Sequence, residues 1–265
     1  MTALFYAAGS AGMLLALRQG SNATLRRAYF LLRLGALAHL LFFSWEFAQL
    51  GQVTTSFLLE WLALGLLLLL WAVSSVQEPP RMAWAVLPPA VLCAVLASAL
   101  PARGILSPAN LPYARSIALH ILLALSGYTS FLVLSVAAGL YLWQSSRLKS
   151  RDNPSGLALS PDLVQLDRIQ KRSLFFGLAA FTLAIGLGKL SPYLWKIPPR
   201  WTLQEVLSLV IWSLYVLLAA LRFSPRFRRQ LFAYGTMVGF GLVLVTFLLL
   251  KWIAVDEIHN FGSPF

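Results

Sequence analysis

Three histidines, His39, His120 and His259, are the imidazoles of this chain. His39 and His120 each lie inside a long apolar run, and His259 follows the last one. An ionisable group in an apolar run is costly to keep, and neutral imidazole is the least costly to bury and a common metal ligand. For any one of them alone, a histidine packed against a neighbouring carbonyl is the plain alternative. Between His120 and His259 the segment 189–204 gathers Lys189, Tyr193, Trp195, Lys196, Arg200 and Trp201. An iron porphyrin needs axial ligands, a flat apolar surface and cations for two propionates. His120 and His259 have the chemistry to ligate the iron, Trp195 and Trp201 to flank the ring, and Lys196 and Arg200 to meet the propionates. Taken alone, the same segment reads equally well as an interfacial aromatic belt with basic flanks.

His39 has a separate setting. Gly35, His39, Phe42 and Glu46 recur at i, i+4, i+7 and i+11, which predicts one helix face. Gly35 leaves room there for a flat ligand or a second helix. The spacing leaves open whether His39 ligates a second haem iron or the same haem earlier in its path. Arg33 falls on another face, where it is expected to snorkel toward the nearer surface.

The elements that position these residues follow from composition. The 265 residues are 59% hydrophobic and 11% charged, with mean hydropathy +0.75. Soluble domains run near 25% charged, so the solvent for most of these side chains is lipid. About 20 helical residues cross a bilayer core. Apolar runs predict spans near 2–17, 28–50, 56–77, 83–100, 115–143, 173–190, 204–222 and 230–254: an all-α bundle of about eight transmembrane helices in one domain, 1–265. Continuous runs exclude a barrel, which alternates over about ten residues. The stretch before Arg18 lacks a basic leader and reads as an uncleaved first span.

The net charge of +12 raises nucleic acid as a partner, but its placement points instead to membrane lipid. Lys and Arg sit in short clusters between apolar runs. Fourteen of the 21 lie in the loops 18–27, 78–82, 144–172 and 222–229, and six on the opposite side. That bias predicts a multi-pass protein of the bacterial cytoplasmic membrane with both termini extracytoplasmic. His120 and His259 then share the outer side. Small residues at i, i+4, i+8 (Ala8, Gly12, Ala16; Ala180, Ala184, Gly188) and the Gly235/Gly239 pair predict close helix packing. Pro161 and Asp162 suggest a short helix along the cytoplasmic face leading into the sixth span. Cys93 stands alone, which excludes an intrachain disulfide.

From about residue 28 to 262 the chain resembles the cytochrome c assembly family, the CcsA/CcmC/HemX-type haem-handling membrane proteins. The stretches that carry the likeness are LHILLALSGYTSFLVLSVAAGLYL (119–142), LVQLDRIQKRSLFFGLAAFTLAIGLG (163–188), RWTLQEVLSLVIWSLYVLLAALR (200–222) and HNF (259–261). The resemblance implies that His120 and His259 flank a tryptophan-rich outer loop that presents haem. The family's W-G-x-x-W-x-W-D-P-K-E motif survives at its end as Trp201-Thr202-Leu203-Gln204-Glu205, with Thr202 for the aspartate and Leu203 for the proline. The short form with this reduced motif is most similar to the HemX-type branch.

Three functions are expected from this. The first is binding haem b and delivering it for cytochrome c assembly, with a partner subunit completing attachment. The second is regulating or scaffolding a haem-biosynthetic enzyme through the basic loop 144–172. The third and weakest is ion or solute transport, suggested by Glu60 and by Pro88 and Pro89 as a broken helix. No P-loop, dinucleotide-binding, HExxH or GxSxG motif occurs, so the chain is not expected to be an enzyme itself.

Overall fold

Apolar chain in lipid must satisfy its own backbone polar groups, and a helix does so within one segment. A computed structural model describes residues 11–12, 15, 22–50, 53–54, 59–67, 83–99, 104–106, 114–150, 162–194, 201, 203–224 and 228–253. Among these, the chain is helical: α1 (Asn22–Leu50), α2 (59–67), α3 (Ala83–Ala99), α4 (Ala114–Ser150), α5 (Leu163–Leu194), α6 (Leu203–Arg222) and α7 (Arg229–Ile253). Two short strands, β1 (Val53–Thr54) and β2 (Gly104–Leu106), pair antiparallel and tie the segment after α1 to the one before α4.

Among the described residues, four stretches are long and apolar enough to cross a membrane: 26–45, 118–149, 163–190 and 205–222. They fall on the expected spans two, five, six and seven. Most of the expected first span lies outside the described residues, although the Cβ position of Gly12 is 3.7 Å from Ala28 Cβ on α1. Large apolar side chains point outward, such as Leu41 and Val238, as a lipid solvent allows.

Three expectations are corrected. The segment 144–172 is not simply a loop, because residues 144–150 continue α4 and 163–172 begin α5. Nor does a separate helix lie along the membrane face after Pro161: α5 is one continuous helix. Asp162 caps it, its side chain accepting the Gln165 backbone N–H. At about 1.5 Å per residue, the 37 residues of α4 and 32 of α5 exceed a hydrocarbon core of roughly 30 Å. Arg147, Lys149, Arg168, Lys171 and Arg172 occupy the excess. Pro88 and Pro89, read as a helix break, lie inside the continuous α3.

α4 is the central helix, packed most extensively on α5 and then on α7. The α4–α5 approach depends on absent side chains. A Cβ on Gly177 would lie 2.8 Å from Ser130 Cβ and Phe131 Cε1, and one on Gly127 3.0 Å from Phe181 Cβ. The expected Gly235/Gly239 seam holds α7 against α6, with Leu218 Cδ2 2.8 Å from the Cβ position of Gly235. Phe131 stacks on Tyr215 at 3.7 Å and meets Phe181 edge-on at 5.9 Å, joining α4, α5 and α6. A second core cluster joins Leu32, Ala36 and Phe43 of α1 to α2, α3 and the outer face of α4.

Polar contacts bind the two ends of the bundle. At the arginine-rich end Arg222 of α6 pairs with Asp167 of α5, its guanidinium 4.7 Å from the Phe232 ring of α7. Gln230 of α7 donates to Ser145 of α4 at 3.0 Å. At the other end, the start of α4 meets the end of α5.

Candidate functional site

The start of α4 and the end of α5 meet at His120. Its Nδ1 lies 2.7 Å from the Ala184 carbonyl oxygen. A carbonyl only accepts, so Nδ1 carries a proton, and in the neutral ring the lone pair is then on Nε2. A hydrogen bond of this kind orients metal-ligating imidazoles and raises their basicity. Gly188, one turn beyond Ala184, leaves the ring its place: a Cβ there would stand 2.9 Å from His120 Cε1 and 3.1 Å from Nδ1. The Ala180–Ala184–Gly188 stripe is therefore a packing seam whose last turn is the cradle of an imidazole. His120 is partly buried, two residues inside the apolar stretch that begins at Ala118.

The next residue along α5 reaches across to α6. Lys189 Nζ lies 2.8 Å from Glu205 Oε2 and 3.7 Å from the centre of the Trp201 ring. Trp201 is 69% exposed. Glu205 sits in the first turn of α6, where the helix dipole favours a carboxylate. One end of the α4–α5–α6 group thus carries an oriented imidazole and an indole held under a cation.

His39 is placed differently. It is 1% exposed, and Nε2 lies 3.9 Å from Glu60 Oε2 on α2. That distance exceeds a hydrogen bond but brings an acid and an imidazole together inside the bundle. Phe43 and Trp61 pack beside this α1–α2 contact, ring centres 5.2 Å apart. The expected face of Gly35, His39, Phe42 and Glu46 is corrected: Phe42 is half exposed, and the inward row runs Leu32, Ala36, His39 and Phe43. Nothing is described of the Glu46 side chain. Arg33 lies over the Tyr29 ring at 4.4 Å, directed toward the start of α1.

Of the residues expected at the site, Trp195, Lys196, Arg200 and His259 lie outside the described residues. Among the described ones, no three of His, Cys, Asp and Glu converge as a metal cluster. A porphyrin iron asks less of a protein, one or two axial ligands, and the His120 tautomer fits that demand. Sequence reasoning missed Lys189, Glu205 and the Ala184 carbonyl as partners, and the proximity of Glu60 to His39. Only Glu60, an acid within an apolar run, had a signal of its own.

With the helices and this end of the bundle placed, the comparison with known families is decisive. The model of the cytochrome C assembly protein family matches residues 24–255. The chain belongs to the cytochrome c assembly protein family. A comparison with curated proteins gave no match. The matched region contains α1 through α7 except the first two residues of α1, and with them His39, His120, Lys189, Trp201 and Glu205. This assembly protein is an integral membrane protein of cytochrome c biogenesis.

Proposed function

We propose that this protein binds haem b as cargo and presents it at the outer face of the bacterial cytoplasmic membrane between His120 and His259. The observation that carries the reading is the His120 hydrogen bond to Ala184: a merely packed histidine makes the same contact, but here it engages Nδ1 and fixes the ring, and the reading assigns Nε2 to the iron. Trp195 and Trp201 flank the porphyrin, while Lys196 and Arg200 receive the propionates. His39, deeper in the bundle beside Glu60, takes the haem earlier in its path. The chain itself ligates, orients and shields; a partner subunit of the assembly machinery completes attachment to the apocytochrome. The HemX-type branch is the form this reading favours.

Purification in mild detergent from haem-replete cells tests it. A Soret band is expected, and His120→Ala or His259→Ala should perturb it far more than Cys93→Ala. Protein that carries no Soret absorption would end the reading.

A second reading draws on the helical extensions of α4 and α5. Arg168, Lys171 and Arg172 are exposed there, beyond the length that a bilayer core needs. They form a basic surface suited to anionic lipid or to an acidic haem-biosynthetic enzyme that the protein scaffolds. Deleting residues 151–161 and neutralising these three cations should leave the Soret band intact. If pathway output falls while haem remains bound, the scaffold reading gains.

A further inference from the structure

Lys189 touches both Glu205 and Trp201, and it follows directly on the glycine that cradles His120. Its ammonium is engaged twice, by a carboxylate at 2.8 Å and by an indole face at 3.7 Å. A cation already neutralised in this way is a poor choice for a propionate. It is well suited to hold an aromatic ring, since an ammonium is attracted to the indole face and the carboxylate keeps the ammonium from swinging away. Trp201 precedes α6 and is 69% exposed, so with Lys189 over the ring most of the indole is still open. Without the pair, an indole so exposed would sample several rotamers.

We propose that the Lys189–Glu205 ion pair is a positioning device for Trp201, fixing the indole with one face under the ammonium and the other offered to a planar aromatic ligand at the His120 end of the bundle. This rests on the haem reading for the identity of that ligand. Lys189 and Glu205 are positioning residues; neither touches the ligand. Gly188 and Lys189, adjacent on α5, couple the seating of the imidazole to the seating of the indole, because any shift of this last turn moves both.

The test uses the full chain in detergent and two readouts. The first is the near-ultraviolet circular dichroism of Trp201, obtained by subtracting the spectrum of the corresponding Trp201→Phe protein. The second is haem affinity by Soret titration. Lys189→Met and Glu205→Gln should each flatten the Trp201 band and weaken haem binding about 3- to 10-fold. Their combination should be no worse than either alone, since the two act as a unit. Lys189→Arg, which keeps the charge and the stacking, should stay within about twofold of wild type. A Trp201 band unchanged in Lys189→Met overturns the proposal. So does a band that collapses while haem affinity stays at the wild-type value and His120→Ala loses it. If wild type binds no haem, the haem reading fails; the dichroism band then decides separately whether the pair holds the indole.

Discussion

His120 and His39 are both imidazoles inside the membrane-spanning part of the bundle, yet their surroundings differ in kind. His120 stands at the rim, partly exposed, its proton committed to a backbone carbonyl at 2.7 Å and its ring admitted by Gly188. His39 is 1% exposed and faces a carboxylate across 3.9 Å. A carbonyl partner sets one tautomer and leaves the other nitrogen basic. The carboxylate near His39 lies instead on the Nε2 side of its ring. In the haem-binding reading proposed above, the rim histidine is the iron ligand and the interior one faces the α2 carboxylate instead. The lesson is that burial alone does not identify a ligand; what the second ring nitrogen meets does.

The contrast can be broken by removing each ring in turn. His120→Ala should lower haem affinity by at least about tenfold, read by Soret titration, because loss of even an outer-shell partner costs a metal site 10- to 100-fold. If His39→Ala causes an equal loss in the same titration, the two histidines are equivalent and the distinction fails.

Gly188→Ala sharpens the comparison without touching an imidazole. The new methyl would stand 2.9 Å from His120 Cε1, so ring or helix must shift. Overpacking of this kind costs about 1–3 kcal/mol. We expect a lower unfolding temperature together with a displaced Soret maximum, and Gly186→Ala, which has open space around it, should show neither.

His39→Ala is expected to act on stability, by roughly 1–3 kcal/mol from the cavity it leaves between α1 and α2. Thermal unfolding in detergent followed by tryptophan fluorescence measures this, with the Soret position of haem at His120 unchanged. The smallest effect should come from Glu60→Gln, which keeps the shape at 3.9 Å and removes the charge: less than about 1 kcal/mol, given that the side chain is partly solvated. A larger destabilisation would mean that the carboxylate contributes more to the α1–α2 contact than its 3.9 Å distance indicates.

Much of the bundle was legible beforehand because the lipid solvent leaves little choice. Runs such as 204–222 contain no alternation and few charges, so a helix is the element that satisfies their backbone, and α6 spans Leu203–Arg222. The Gly235/Gly239 spacing likewise announced its seam. The 144–172 segment was harder. Its charges mark it as lying outside the lipid, but helix propensity continues past the membrane boundary, and neither Arg147 nor Lys171 breaks a helix. Phe42 was misplaced for a related reason. Positions 42 and 43 flank position 39 on opposite sides, at about 60° and about 40° around the helix. Only the seat of α2 tells which neighbour of His39 turns inward.

Composition and spacing by themselves determined that this chain lives in a membrane as helices, and that its imidazoles are worth attention, because the cost of polar groups in hydrocarbon is written in single residues. Tertiary structure alone decided what each imidazole faces. Ala184 is 64 positions from His120, Glu60 is 21 from His39, and Lys189 of α5 meets Glu205 of α6. Such contacts arise from how helices seat against one another through missing side chains at Gly127, Gly177 and Gly188, a three-dimensional fit that no local pattern encodes.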